Sequence, residues 1–103
     1  MLSEKAKGNG GVLIIPENIK EIRDDCFQDK EYIKEVRIET SEVKIGNDIF
    51  KGSPSIKAIY TKDIKICNDI CKKSEYVYKR ALENKLDFYV DGEKIEEDQI
   101  KII

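Results

Sequence analysis

Apolar side chains recur along this chain in one order, and that order returns after 23 residues and again after 21. Ile22, Ile45 and Ile66 hold the same place in three successive segments, which read "IKEIRDDCFQDKEYIKEVRIE", "EVKIGNDIFKGSPSIKAIYTK" and "DIKICNDICKKSEYVYK". A period of this length is the sequence signature of a repeat protein, in which each unit stacks on its neighbour. We therefore predict a stack of about three similar units.

Each unit carries a stretch in which apolar and polar residues alternate. Residues 36–38 alternate in the first unit and residues 59–61 in the second. A period of two is typical of a strand with one buried face. The chain also holds 17 isoleucines against four leucines, and β-branched side chains favour strands. One short strand per unit is the prediction.

A second recurring element is an Asn or Asp followed by Asp, just before two adjacent apolar residues. The pairs are Asp24-Asp25, Asn47-Asp48 and Asn68-Asp69. Such side chains cap the free N–H groups at a helix start, where the helix dipole also favours a carboxylate. We predict a short helical turn after each pair, ended in the second unit by Gly52 and Pro54, with Cys26 and Phe27 filling the core of the first. A calcium ladder or a hydrolytic carboxylate pair made by Asp25, Asp48 and Asp69 is the alternative, and capping is the simpler explanation.

A strand and one helical turn in about 22 residues cannot bury their own apolar face, whereas stacked copies can. The expected fold is α/β: a short leucine-rich-repeat solenoid, a right-handed β-α superhelix with parallel strands and short helical turns. The stretches "LIIPENIKEIRDDCF" and "VRIETSEVKIGNDIF" resemble the bacterial BspA-type leucine-rich repeat, which reads roughly L-x-x-I-x-I-P-x-x-V-x-x-I-G-x-x-A-F. The likeness covers about residues 12–77 and departs from the pattern at Cys67 and Cys71, which take a glycine and a phenylalanine position. This resemblance implies a surface or secreted protein that binds other proteins.

We divide the chain into three parts. Residues 1–11 are a glycine-rich flexible lead, residues 12–77 hold the repeat units, and residues 78–103 form a C-terminal helix, a β-hairpin and an incomplete further repeat. The hairpin is predicted by Asp91-Gly92 between "FYV" and "EKI". The helix is predicted from "YVYKRALENKL", whose apolar face consists of Val77, Tyr78, Ala81, Leu82 and Leu86.

The last residues, "DQIKII", look like the opening strand of another unit. Ile100, Ile102 and Ile103 would then form an unpaired apolar edge, which invites pairing with another chain. Three interpretations stay open: the chain is a fragment of a longer array, two copies associate through this end as a homo-oligomer, or the last residues are a frayed tail without a role.

The outward residues of the predicted strands are the candidate binding site. The row consists of Ile14, Arg37, Tyr60 and Tyr89, with Glu39 and Lys62 beside it. Arg and Tyr dominate protein-binding hot spots because they combine a large contact area with polar groups. The alternative is that these are ordinary surface residues of a strand.

Charge and composition exclude several other functions. Nineteen basic and 21 acidic residues are interleaved along the chain, so no basic stripe predicts a nucleic-acid surface. The chain has no histidine, which removes the usual general base, and its three cysteines are too few for a closed zinc site. We expect no cofactor, and free buried thiols with no bond between Cys26 and Cys71. No stretch reaches the roughly 18 apolar residues of a membrane span or forms a signal peptide.

The sequence therefore predicts a non-catalytic protein-binding module with a protein partner, no nucleic acid and no membrane. As written, the chain is expected in the cytoplasm, or at the cell surface or outside it if it is a fragment of a longer protein. The alternative function is a small intracellular regulator or inhibitor, encoded by a phage or mobile element, that blocks an enzyme through the acidic segment "DGEKIEEDQ".

Overall fold

The computed structural model describes residues 11–100, apart from the side chain of Glu97. This part of the chain forms short strands, two helices and one 3-10 turn. In chain order they are β1 (Val12–Ile15), β2 (Glu21–Ile22), β3 (Glu35–Ile38), β4 (Lys44–Ile45), β5 (Ala58–Thr61), α1 (Ile64–Lys73), α2 (Glu75–Leu82), β6 (Asp87–Val90), β7 (Glu93–Ile95) and the 3-10 helix Glu97–Gln99.

The main sheet has the strand order β1-β3-β5-β6-β7. The first four strands are parallel and in register, so that Val12 pairs with Glu35, Glu35 with Ala58, and Ala58 with Asp87. Equivalent positions are thus 23, 23 and 29 residues apart. The predicted stack of parallel strands is confirmed, although the first two units each have a second short strand, and the longer third step contains both helices.

The period of two places alternate strand residues in a single core. Leu13, Val36, Ile59 and Phe88 lie side by side in the register of the sheet, and each is at most 2% exposed. Fully burying a side chain of this size is worth about 1.5–3 kcal/mol. We call these four residues the apolar column. Because an apolar residue occupies the same place on each of the four parallel strands, the apolar column fixes the register of the sheet.

The first two units also pair through a second, two-stranded sheet. Its strands β2 and β4 are parallel, with Ile22 opposite Ile45 as predicted. Ile66 is also buried, but it lies in α1 and extends no strand. The third unit departs because its buried residues Ile66, Cys67, Ile70 and Cys71 follow helical spacing, and Asp63 caps α1 by accepting a hydrogen bond from the Lys65 N–H at 2.9 Å.

The proposed capping role of the Asx-Asp pairs is wrong. Asp25 and Asp48 have positive φ angles of 56° and 52°, and the residues that follow form turns without helix. Aspartate tolerates this left-handed backbone better than most residues. Asp24 instead accepts a hydrogen bond from the N–H of Asn47 at 2.7 Å and so joins two units. The third pair, Asn68-Asp69, lies inside α1.

The end of the chain also differs from prediction. Helix α2 stops at Leu82, which is 42% exposed, so the single helix predicted from Tyr76 to Leu86 is too long. Asn84, at a φ of 61°, turns the chain out of the helix. Strands β6 and β7 pair antiparallel across Asp91-Gly92.

The apolar C-terminal edge was predicted as the start of a strand. Ile100 instead follows the 3-10 helix and is buried, at 8% exposure. It therefore offers no free strand edge. Ile102 and Ile103 lie outside the described residues, as does the predicted flexible lead up to residue 10.

Candidate functional site

One row of outward side chains crosses the main sheet. Ile14 pairs with Arg37, Arg37 with Tyr60, and Tyr60 with Tyr89, so the four lie side by side on the exposed face. Lys94 lies opposite Tyr89 on β7 and extends the row to the fifth strand. We call these five residues the exposed row. With adjacent strands about 4.8 Å apart, it runs perpendicular to the strands.

Arg37 is held from two sides. Its Nε lies 2.7 Å from Oε2 of Glu35, two residues earlier on the same strand. Its Cζ lies 4.4 Å from the centre of the Tyr60 ring on the next strand, a cation–π contact. The Arg37 side chain is nevertheless 46% exposed. The guanidinium is therefore oriented by the protein while much of it still faces solvent.

Tyr60 and Tyr89 continue the exposed row beyond Arg37. Their rings are stacked with centroids 4.5 Å apart and an angle of 14° between the planes. Aromatic pairs of this kind add about 0.5–1.5 kcal/mol beyond the area that they bury. Since the rings face each other along the row, their edges point away from the sheet.

Lys94 was missed in the sequence because the fifth strand reverses direction. The signal was present: a two-residue Asp91-Gly92 turn places Tyr89 opposite Lys94. The Lys94 ammonium lies 3.6 Å from Oδ1 of Asp87. The two cations of the exposed row, Arg37 and Lys94, each have a carboxylate partner on the same sheet.

A shallow depression of about 320 Å3 opens where β3, β5 and β6 end. Arg37, Glu39, Tyr60 and Lys62 line it, together with the hairpin turn at Asp91. The structure thus brings four of the six predicted binding residues to one place. Ile14 lies at one end of the exposed row and Tyr89 toward the other, outside the depression.

The buried cysteines have no reactive character. Burial raises the pKa of Cys67 to about 11 and that of Cys71 to about 12. Cys67 Sγ also lies 3.3 Å from the Thr61 hydroxyl oxygen. Both thiols are therefore protonated near neutral pH, and the thiol is the poor nucleophile of the two forms.

All three cysteines are free thiols, and Cys26 is exposed, so the prediction that it fills the core is wrong. Its neighbour Phe27 is buried and stacks on Phe50 of the next unit at 5.6 Å. Within residues 11–100, no three Asp, Glu, Cys or His side chains cluster as a metal site would require. No helix in the same range is long and apolar enough to span a membrane.

The repeat spacing, the parallel register and the apolar column can be compared with known families. A family model described as "BspA type Leucine rich repeat region (6 copies)" matches residues 10–88. The chain belongs to the BspA-type leucine-rich-repeat family. In this BspA-type chain the matched span runs from β1 into β6 and includes the strands that carry Arg37 and Tyr60. No curated protein and no solved structure matches the chain.

Proposed function

We propose that this BspA-type chain is a non-catalytic module that binds another protein through its exposed row. The observation that carries the proposal is the central part of the exposed row, where Arg37, Tyr60 and Tyr89 contact one another at 4.4 Å and 4.5 Å. Leucine-rich repeats present such rows on an extended sheet, which suits a broad protein contact. We also propose the right-handed path that connections between parallel strands almost always take.

The side chains of the exposed row are already fixed before a partner binds, and this favours binding energetically. Immobilising a long side chain on binding costs about 0.5–1.5 kcal/mol, and contacts that already fix Arg37 and Tyr60 reduce this cost. Arginine and tyrosine are also the residue types enriched where binding energy concentrates. The adjacent depression, with Glu39 and Lys62 at its rim, can receive a side chain of the partner.

The test compares three immobilised proteins in extracts of the source organism: the natural chain, Arg37→Ala/Tyr60→Ala, and the control Arg23→Ala/Lys44→Ala, whose residues lie directly after β2 and on β4. Arg23 and Lys44 are exposed, so the control removes surface charge elsewhere. Proteins retained on each are quantified by mass spectrometry.

We expect a protein retained by the natural chain and the control, and reduced at least about tenfold on the row variant, as loss of hot-spot residues produces. The control should melt within a few degrees of the natural chain, and the row variant should stay folded but melt several degrees lower, because it loses the stack of Tyr60 on Tyr89. Equal retention on all three proteins would exclude the exposed row as the binding surface.

A further inference from the structure

The two edges of the main sheet are chemically different. At one edge, β7 has three residues, of which Glu93 and Lys94 are exposed and charged. At the other edge, β1 is Val12–Ile15, four apolar residues without a charge. Charged side chains and short length protect an edge strand from pairing with another chain. By this criterion β7 is protected and β1 is not.

The backbone of β1 bonds to β3 on one side, and on its other side no strand of residues 11–100 pairs with it. Carbonyl oxygens of Gly11 and Ile15 accept bonds from the N–H groups of Glu35 and Glu39, at 3.1 Å and 2.8 Å. Alternate residues of a parallel strand bond to the same neighbour, so Val12 directs its N–H and C=O away from β3, as does Ile14. Because β1 ends the strand order, no strand among the described residues pairs with these groups.

The side chains at this edge are also apolar and accessible. Ile14 is 38% exposed and, with Leu82, is one of two exposed large apolar residues in the described part of the chain. Val12 is half-buried beside it on the same face. An edge strand that combines free backbone groups with exposed apolar side chains is a template for another strand.

We propose that β1 pairs antiparallel with β1 of a second copy about a two-fold axis at Leu13. In this register Val12 of each copy faces Ile14 of the other, and the two residues exchange both of their N–H···O bonds. The two main sheets become one continuous sheet. The inference goes beyond the proposed function, because neither Arg37 nor Tyr60 is needed for it.

A second copy fits this edge because the edge is self-complementary. The residues that offer free backbone groups, Val12 and Ile14, are symmetric about Leu13, so one register satisfies both copies. The exposed face gains a contact between Ile14 of one copy and Val12 of the other. No charge opposes the pairing. The same operation on β7 would place Lys94 against Lys94, and like charges in that position are destabilising.

The contact is limited in size. Pro16 follows β1 and has no N–H to continue the ladder, so only this short strand takes part. Interfaces well below about 1,200 Å2 form weak complexes. We therefore expect a dimer with a dissociation constant on the order of 10–100 μM, present only in concentrated solution.

The test is light scattering of the full chain between roughly 10 μM and 1 mM, the range that this affinity sets. The mass should rise from 11.9 kDa toward twice that value. Ile14→Pro removes an N–H that β3 does not use, so the fold stays and the variant should remain monomeric. The matched control is Lys94→Pro, which removes the outward N–H of the opposite edge and should dimerise like the natural chain.

A mass of 11.9 kDa at 1 mM would overturn the proposal. It would mean that β1 does not pair with a second copy of the chain. Persistence of the dimer in a folded Ile14→Pro variant would also overturn it. Circular dichroism checks the fold, and Ile14→Glu, which sets a charge on the edge, replaces the proline variant if that one unfolds. Arg37→Ala/Tyr60→Ala should still dimerise, which separates this result from the binding test.

Discussion

The ammonium group of Lys73 lies 2.9 Å from the carbonyl oxygen of Ile45. One unit earlier, the equivalent carbonyl of Ile22 accepts a hydrogen bond from the backbone N–H of Gly46 at 2.7 Å. A side chain from the end of α1 thus takes the place of the amide that a third strand would have supplied. The two-stranded sheet ends at β4 without leaving this carbonyl unpaired.

Lys73→Met should therefore destabilise the protein. The methionine keeps most of the apolar length of the side chain but leaves the half-buried Ile45 carbonyl without its donor, a loss worth about 1–3 kcal/mol. Urea denaturation measures it. Lys72→Met, at an exposed position of the same helix, is the control and should change the free energy of unfolding by less than about 0.5 kcal/mol. Equal effects would show that Lys73 does not replace the amide.

Gly46 lies where the backbones of the first two units pass close to each other. A Cβ at this position would come within 2.5 Å of the Asp24 backbone nitrogen and 2.6 Å of the Arg23 carbonyl carbon. These are backbone atoms and cannot rotate away. Gly46→Ala should destabilise by about 1–3 kcal/mol or more, as overpacking does.

The control for Gly46 is Gly92→Ala. An added Cβ at Gly92 meets nothing within 4 Å, although its φ of 84° makes any side chain unfavourable. Its cost should be about 1–2 kcal/mol, from the backbone alone. If thermal melting ranks Gly92→Ala as the more damaging change, the close contact between the two units is wrong.

Ser53 is a buried polar link between units. Its hydroxyl donates to the Phe27 carbonyl oxygen and accepts from the Lys30 N–H, both at 2.9 Å. Ser53→Ala leaves both backbone groups unpaired and should lower the free energy of unfolding by about 1–3 kcal/mol. The exposed Ser41→Ala serves as control, and calorimetry would contradict this account if both variants melted alike.

Much of the fold could be predicted from the sequence, because the alternation of apolar and polar residues carries two kinds of information. The alternation around Arg37 and Tyr60 sets the strands, and their repetition sets which strands are neighbours. The helix of the third unit could not be predicted this way, since Ile66 and Ile70 fit the repeat and a helix equally well. Only the packing of α1 against the preceding units decides between them.

The candidate site shows the same limit. Positions along a strand predict which residues share a face, and Arg37, Tyr60 and Tyr89 lie together on that basis. The ring stacking, the Glu35 contact and Lys94 depend on side-chain geometry and on the reversal of β7. The predicted helix caps at Asp25 and Asp48 were wrong for a related reason, because Asp is common both at helix starts and in left-handed turns.

The buried thiols predict a pH dependence. Cys67 and Cys71 have folded pKa values of about 11 and 12, above the value of 9.0 for a free thiol. The unfolded chain therefore loses these protons first as pH rises, so their contribution to stability is complete below pH 9 and declines toward pH 11. The urea midpoint of the natural chain should fall more steeply from pH 8 to pH 10.5 than that of Cys67→Ala/Cys71→Ala. Parallel curves would mean that the two thiols are not shielded from solvent.

The central claim is that successive units stack in one register, which creates the exposed row. Nuclear Overhauser effects in solution test it most directly, because they report pairs of protons that lie close in space. We predict cross-peaks between the rings of Tyr60 and Tyr89 and between the side chains of Ile22 and Ile45. Well-resolved spectra that lack both contacts, or that place Tyr60 beside residues outside β3, β5 and β6, would contradict the stacked register and the binding surface built on it.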